Sequence, residues 1–372
     1  MPASPPPVAR IKPSAGPYTA RRRRPENDLY DDGWDAEGGA RRSMALSWAV
    51  PLGCAGLSMG PVSAATGHPL VTSVALAWAA AAWAVEWGAA DRHRERVLSA
   101  QARGSKPPGP VSIIVPVLNE AAGVEAALQR ISNLDPPPRD VVVVDGGSID
   151  GTRERVRRWT DLHRNESFKV TLVGTARRGR GRQMNAGVPH ADGDVLIFLH
   201  CDSSLPQDAV AVVSQALSDP LVCAAGFTSV MDDGEDTFWG MTAHNALKTF
   251  YMPALLRPVD YFRGLRCLLG DQCVFVRRKD FNAVGGYQEE LPLMEDADLV
   301  VRLFERGAER PGRPAQVVRQ LGRCATTSGR RVKQWGGWRS TFTHFGLGLA
   351  WHFGASPQTL DALVDVLYRD VR

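Results

Sequence analysis

Three stretches of the chain place carboxylates directly after a short apolar run. They are Pro116-Val117-Leu118-Asn119-Glu120, Asp145-Gly146-Gly147-Ser148-Ile149-Asp150-Gly151-Thr152 and His200-Cys201-Asp202-Ser203. Singly, each has an ordinary explanation: Asp and Gly dominate turns, and Asp202 can form an Asx turn ahead of a helix beginning near Pro206. Together, at the carboxyl ends of strands in one sheet, they predict a shared polar site. Carboxylates gathered in a dry site require a counter-charge, which a phosphorylated ligand with a divalent cation supplies. Arg177, Arg178, Arg180 and Arg182 surround Gly179 and Gly181 just before Gln183-Met184-Asn185-Ala186-Gly187. A loop of this kind either holds phosphate through guanidinium forks and amides or is a solvated basic loop. A fourth stretch, Pro292-Leu293-Met294-Glu295-Asp296-Ala297-Asp298-Leu299, sets Glu295 and Asp296 at the start of a helix. The helix dipole favours acids there, and a carboxylate so placed is also a candidate general base. Spacing alone does not separate these readings.

The elements that must position these groups alternate along the chain. VSIIVPV (111–117) is a β-rich run, and Val124, Ala127, Leu128 and Ile131 repeat at helical spacing. DPPP (135–138) turns the chain into the apolar strand VVVV (141–144), and a polar helix begins near Thr152. FKVTLV (168–173) and VLIFL (195–199) are the next strands, while Leu299, Val300, Leu303 and Phe304 make one face of a helix ending near Gly307. Strand–helix alternation with fully apolar strands predicts an α/β fold with a parallel sheet covered on both faces. No G-x-G-x-x-G follows the first strand, which argues against a dinucleotide-dependent dehydrogenase.

The region before Val111 is of another kind. Residues 1–42 begin basic and acid-poor, with Arg10, Lys12 and Arg21 to Arg24, and continue with an acidic block from Glu26 to Glu37. Segregated charge of this sort predicts a disordered tail, either an organelle transit peptide or a basic cytosolic extension. Ser43 to Val85 then runs 43 residues without a formal charge. A spanning helix needs roughly 20 apolar residues, so residues 43–90 are expected to form a transmembrane hairpin or a membrane-associated segment. Arg41 and Arg42 before it, and Arg92, Arg94 and Arg96 after it, place both ends on the cytosolic or stromal side. Residues 91–110 are expected to be a linker, and 111–372 the catalytic domain. Thr341 to Phe353 is apolar but too short to span, and suits a core or interfacial helix. Across 372 residues the net charge is +4, too small to point to nucleic acid. Six cysteines without a C-x-x-C pair exclude an obvious zinc site or disulfide framework.

Seven stretches carry a resemblance: VSIIVPVLNE (111–120), VVVVDGGSIDGT (141–152), RGRGRQMNAG (178–187), GDVLIFLHCDSSLP (193–206), GDQCVFVRR (270–278), GGYQEELPLMEDADL (285–299) and TTSGRR (326–331). In that order, from about Val111 to Tyr368, the chain resembles glycosyltransferase family 2, and within it a bacterial-type branch of small, non-processive enzymes. The resemblance implies a GT-A fold, with a mixed sheet flanked by helices, and inverting transfer of a sugar from a nucleotide-diphosphate donor. By position it implies that Asp145 contacts the base or ribose with Glu120 nearby. Asp202 falls on the last acid of the family's D-x-D metal motif, which here reads His200-Cys201-Asp202, so His200 replaces a carboxylate as a ligand for Mg²⁺ or Mn²⁺. Asp296 matches the catalytic base of the Glu295-Asp296 pair. Asp271 and Gln272 fall on the acceptor side, and Arg180 and Asn185, with Arg330 and Arg331, on the diphosphate side.

These roles agree with the chemistry. Inverting transfer is one in-line displacement that needs a single base, and a divalent cation neutralises the departing diphosphate. Two alternatives stand beside this reading. One is a catalytically silent nucleotide-sugar-binding membrane protein, favoured by the altered His-Cys-Asp motif and opposed by the intact Glu-Asp pair. The other is a nucleotidyltransferase, which would open with a Gly-rich basic loop where PVLNE stands. The sequence names no acceptor; a lipid or polyprenyl-linked one follows from the membrane segment, not from a pocket.

Overall fold

The computed structural model describes residues 92–99, 108–164, 167–175, 178–232, 237–309, 315–330, 333 and 337–367. The expected tail (1–42), the membrane segment (43–90), and the candidate residues Arg177 and Arg331 lie outside the described residues. Among the described residues no helix is long and apolar enough to cross a membrane.

An eight-stranded mixed sheet organises the domain, in the order β3-β2-β1-β4-β7-β6-β8-β5. The strands are β1 (Val111–Val117), β2 (Asp140–Asp145), β3 (Lys169–Gly174), β4 (Val195–Phe198), β5 (Ser203–Ser204), β6 (Val222–Asp232), β7 (Phe275–Arg277) and β8 (Gln316–Ser328). β1 to β4 pair in parallel, β7 runs antiparallel to β4 and β6, and β8 lies parallel to β6. The expected α/β fold is therefore present, with antiparallel strands added on one side of the parallel half.

Apolar strands form here because both faces are covered. Ile113, Val115, Val141, Val143, Val195 and Ile197 point into one core, under α2 (Val124–Ser132), α3 (Thr152–Leu162) and α5 (Ala209–Ala216). The alternate residues Ile114, Val142, Val144, Leu196 and Phe198 point into the other. That second core is shared with α4 (Arg180–Gly187), α8 (Arg278–Ala283) and α9 (Glu295–Ala308). The helical stripe Val124, Ala127, Leu128 and Ile131 is buried throughout. Helices α6 (Trp239–Leu256), α7 (Pro258–Arg263), α10 (Gly337–His352) and α11 (Pro357–Leu367) complete the described chain.

The segment expected to be a linker begins instead with a helix, α1, over residues 92–99. Composition hid it because its anchors are distant: Asp219 accepts from Arg96 Nε at 2.6 Å and lies 3.2 Å from His93 Nδ1. At the amino-terminal edge of the sheet, Gly193 donates to Ser112 Oγ, and Asp140 accepts from that hydroxyl and from the Asp192 amide. A Cβ on Gly193 would fall 2.6 Å from Ser112 N and 2.7 Å from the Pro110 carbonyl. Backbone cannot step aside cheaply, so Gly193→Ala is expected to cost about 1–3 kcal/mol and lower Tm by several degrees in a thermal melt.

Candidate active site

The carboxyl ends of β1, β2 and β4 meet at one edge of the sheet, and hydrogen bonds tie the loops leaving β1 and β2 together. Asn119, in the left-handed region at φ 55°, donates its amide to Ser148 Oγ and accepts from Ile149 N through Oδ1. Glu120 N donates to Thr152 Oγ1 and Ala121 N to Asp150 Oδ2, both at 2.9 Å. Gln183, buried on α4, donates to the carbonyls of Val117 and Val144 and so clamps the two strand ends. Asp145 is fully buried, and its carboxylate accepts from the amides of Gly147 and Ser148 at 3.2 Å. It shapes its own turn, and Arg153 Nη1 lies 3.9 Å from its Oδ2.

Glu120, Asp202 and Arg330 converge in front of those loops. Arg330 Nη2 lies 3.8 Å from Glu120 and 3.5 Å from Asp202. Arg330 is 65% exposed and Asp202 34% exposed, so this pair faces solvent where a ligand can enter. Burial raises the Glu120 carboxyl above its ordinary range; Arg330 opposes that shift and the charges of Asp202 and Asp150 add to it. Burial pushes the intervening Cys201 thiol up to about 12.

The second half of the site is the start of α9. Met294, left-handed at φ 64°, turns the chain so that Glu295 and Asp296 enter the first helical turn buried. Glu295 receives Arg180 Nη1 at 2.9 Å, and Asp296 Oδ1 accepts from the Tyr287 hydroxyl at 3.0 Å. Burial and then the adjacent Glu295 charge raise the Asp296 carboxyl to about 7, with Arg180 and Tyr287 pulling the other way. Asp271 reaches this region electrostatically and is held by Asn245 of α6, which in turn accepts from Lys248.

His200 packs against the segment that carries Gly270. The Cε1–Nε2 edge of its ring packs over Gly270: a Cβ there would fall 2.4 Å from Nε2 and 2.8 Å from Asp296 Oδ2. The ring and the carboxylate thus flank one glycine. Among the described residues no group of three His, Cys, Asp or Glu side chains is gathered to hold a metal ion. Asp202 alone, half-exposed beside a cationic cleft, suits a cation such as Mg²⁺ that takes most of its ligands from water and phosphate.

Two candidate ligand-binding amides are hydrogen-bonded within the chain. The Asn185 amide is spent on the chain, donating to the Tyr287 carbonyl and Glu289 and accepting from Tyr287 N. Its role is to fix the loop that presents Tyr287 to Asp296. Gln272 is 3% exposed; its amide donates to Thr249 Oγ1 and accepts from Leu269 N, leaving nothing to orient an acceptor hydroxyl. Tyr287 and Gln183 are the residues that sequence reasoning overlooked. Each stands inside a quoted motif, but only the fold shows what it touches.

Residues 112–284 match the model of the Glycosyl transferase family 2 family. Over 205 residues the chain is 30% identical to the succinoglycan biosynthesis protein ExoA of Rhizobium meliloti, covering 52% of this chain and 58% of that protein. A PGL/p-HBAD biosynthesis glycosyltransferase of Mycobacterium tuberculosis is 28% identical over 198 residues, covering 53% of this chain and 70% of the relative. The chain therefore spans little more than half the length of the rhizobial relative. Among solved structures, the mannosyltransferase PcManGT from Pyrobaculum calidifontis, in complex with GDP-Man and Mn²⁺, superposes with a TM-score of 0.51 at 22% identity. That likeness covers 77% of this chain and 80% of the other, and it is one of fold: the expected GT-A architecture is present.

Proposed function

We propose that this chain, whose residues 112–284 match the Glycosyl transferase family 2 model, is an inverting glycosyltransferase with Asp296 as its base. The observation that carries the reading is the buried Asp296 carboxyl, hydrogen-bonded to Tyr287 and raised to about 7. A base whose pKa lies near the working pH accepts a proton efficiently while remaining largely ionised. The acceptor hydroxyl gives its proton to Asp296 as its oxygen attacks the anomeric carbon, and the nucleoside diphosphate leaves from the opposite face. Arg180, locked to Glu295, holds positive charge close to both carboxylates. Arg330 faces the cleft beside Asp202 and can turn from these carboxylates to the diphosphate. A divalent cation on Asp202 would neutralise the charge that develops on the leaving group. The acceptor we propose is lipid-linked, in keeping with the uncharged stretch before the domain.

The test is release of nucleotide by the full protein from a panel of UDP-, GDP- and other nucleotide-sugars, with Mn²⁺ or with EDTA. Metal-dependent release from one donor supports the reading. A folded protein that binds none of them would return the silent, non-catalytic alternative. The proton balance adds a second expectation. Since the ionised carboxylate is the active form, kcat should fall as pH drops through about 7 and level off above it. Arg180 favours ionisation of Asp296, so Arg180→Gln should move the acid limb to higher pH, read from kcat–pH profiles of both proteins.

A further inference from the structure

Three exposed apolar side chains gather at the corner between α6 and α7: Leu255, Val259 and Phe262, at 65%, 61% and 57% exposure. The inner side of this corner is already packed. Phe250, Ala254 and Tyr261 form their own buried cluster, the Arg266 guanidinium lies 4.5 Å over Tyr261, and that of Arg319 lies 4.3 Å over Phe250. The Phe262 ring meets Tyr261 edge-on at 5.4 Å, yet Phe262 stays 57% exposed, with Leu255 at 65% and Val259 at 61%. Single exposed hydrophobic residues are ordinary, but a group of them on one corner marks a contact surface.

The position of the corner identifies what it contacts. Immediately after α7, Gly264 packs on the start of β8, with its carbonyl accepting from Val317 N and a Cβ position 3.3 Å from Gln316 Cγ. Gln316 Oε1 in turn accepts from Arg96 of α1, which is pinned to Asp219. Helix α1 is thereby fixed beside α7. In the sequence, the 43-residue uncharged stretch Ser43–Val85 ends seven positions before α1, the helix fixed beside α7. Exposed Arg92 opens α1, and exposed Arg263 follows Phe262. Apolar side chains that enter the headgroup boundary, basic residues beside them and an adjoining uncharged stretch are the requirements of a peripheral membrane contact.

We infer that the α6–α7 corner is a lipid-facing surface of the catalytic domain, inserting Leu255, Val259 and Phe262 among anionic headgroups. The inference does not depend on the transfer reaction and would hold equally for a silent nucleotide-sugar-binding protein. Two other occupants are conceivable on geometric grounds: the chain's own uncharged stretch folded back, or a second copy.

Photo-crosslinking separates them. The full protein, carrying p-benzoylphenylalanine in place of Phe262, is irradiated with vesicles of phosphatidylcholine and phosphatidylglycerol, and adducts are identified by mass spectrometry. Leu162, 75% exposed at the end of α3, serves as the control position. The expected result is a phospholipid adduct at 262 and none at 162, with the yield falling when phosphatidylglycerol is omitted or when Arg263→Glu is introduced. Adducts to the chain's own residues 43–85, adducts between two copies, or no adduct from a folded protein would each overturn the inference. Equal lipid labelling at 162 and 262 would overturn it as well.

Discussion

Replacing Asp296 by Asn is expected to lower sugar transfer by about 10²–10⁴-fold, the usual contribution of a positioned general base, while leaving donor binding nearly unchanged. The amide has the shape of the carboxyl and can still accept from the Tyr287 hydroxyl, so the site should keep its geometry. What it cannot do is take a proton. Stability should move in the opposite direction. The carboxyl is raised from its ordinary 3.8 to about 7 in the folded chain, so folding favours its protonated form. Its contribution is present in full below 3.8 and is lost as pH rises through about 7. At alkaline pH, therefore, the Asn variant should melt higher than the parent, because a buried charge beside Glu295 has been removed. A variant that loses donor binding together with transfer would take Asp296 out of the role of base. Nucleotide-sugar binding and product formation, measured on the same preparation, decide between these outcomes.

The parallel half of the fold was legible because each of its elements is locally consistent. VSIIVPV is β1 to the residue, VVVV lies within β2, and the apolar stripe at 124, 127, 128 and 131 is the buried face of α2. The half beyond β4 was less so. β8 runs from Gln316 to Ser328 through Arg319, Gln320, Arg323 and two threonines, a composition that reads as a loop until β6 lies alongside it. Among site residues, Asp296 and Arg330 stand where sequence alone places them, Asp296 buried at the start of a helix and Arg330 beside Glu120 and Asp202. For Asn185 and Gln272 the sequence shows an amide near a cleft, and only the fold shows that each is hydrogen-bonded to a distant part of the chain. His200 illustrates the same limit. Its ring edge packs over Gly270, seventy positions later in the sequence.

That last contact carries the other large expected effect. Gly270→Ala should abolish most of the transfer activity without unfolding the protein, because the methyl group is aimed at the chemistry and not at the core. Its position falls 2.3 Å from His200 Cε1, 2.4 Å from Nε2 and 2.8 Å from Asp296 Oδ2, all nearer than real Cβ contacts allow. Every one of these atoms belongs to a side chain, so the backbone of the turn at Gly270–Gln272 can stay while the ring and the carboxylate are pushed apart. Displacing a reacting group by about 1 Å costs on the order of 10²-fold in rate. The loss should appear in kcat, while donor affinity, set on the far side of the cleft by the β1 and β2 loops, stays close to that of the parent. A second substitution tests the cause. His200→Ala in the Gly270→Ala background makes room for the methyl and lets Asp296 return to Tyr287, so the double variant should be more active than Gly270→Ala alone. A double variant no better than the single one would mean that the imidazole itself takes part in the reaction, or that the turn has moved; circular dichroism and donor binding tell those two apart.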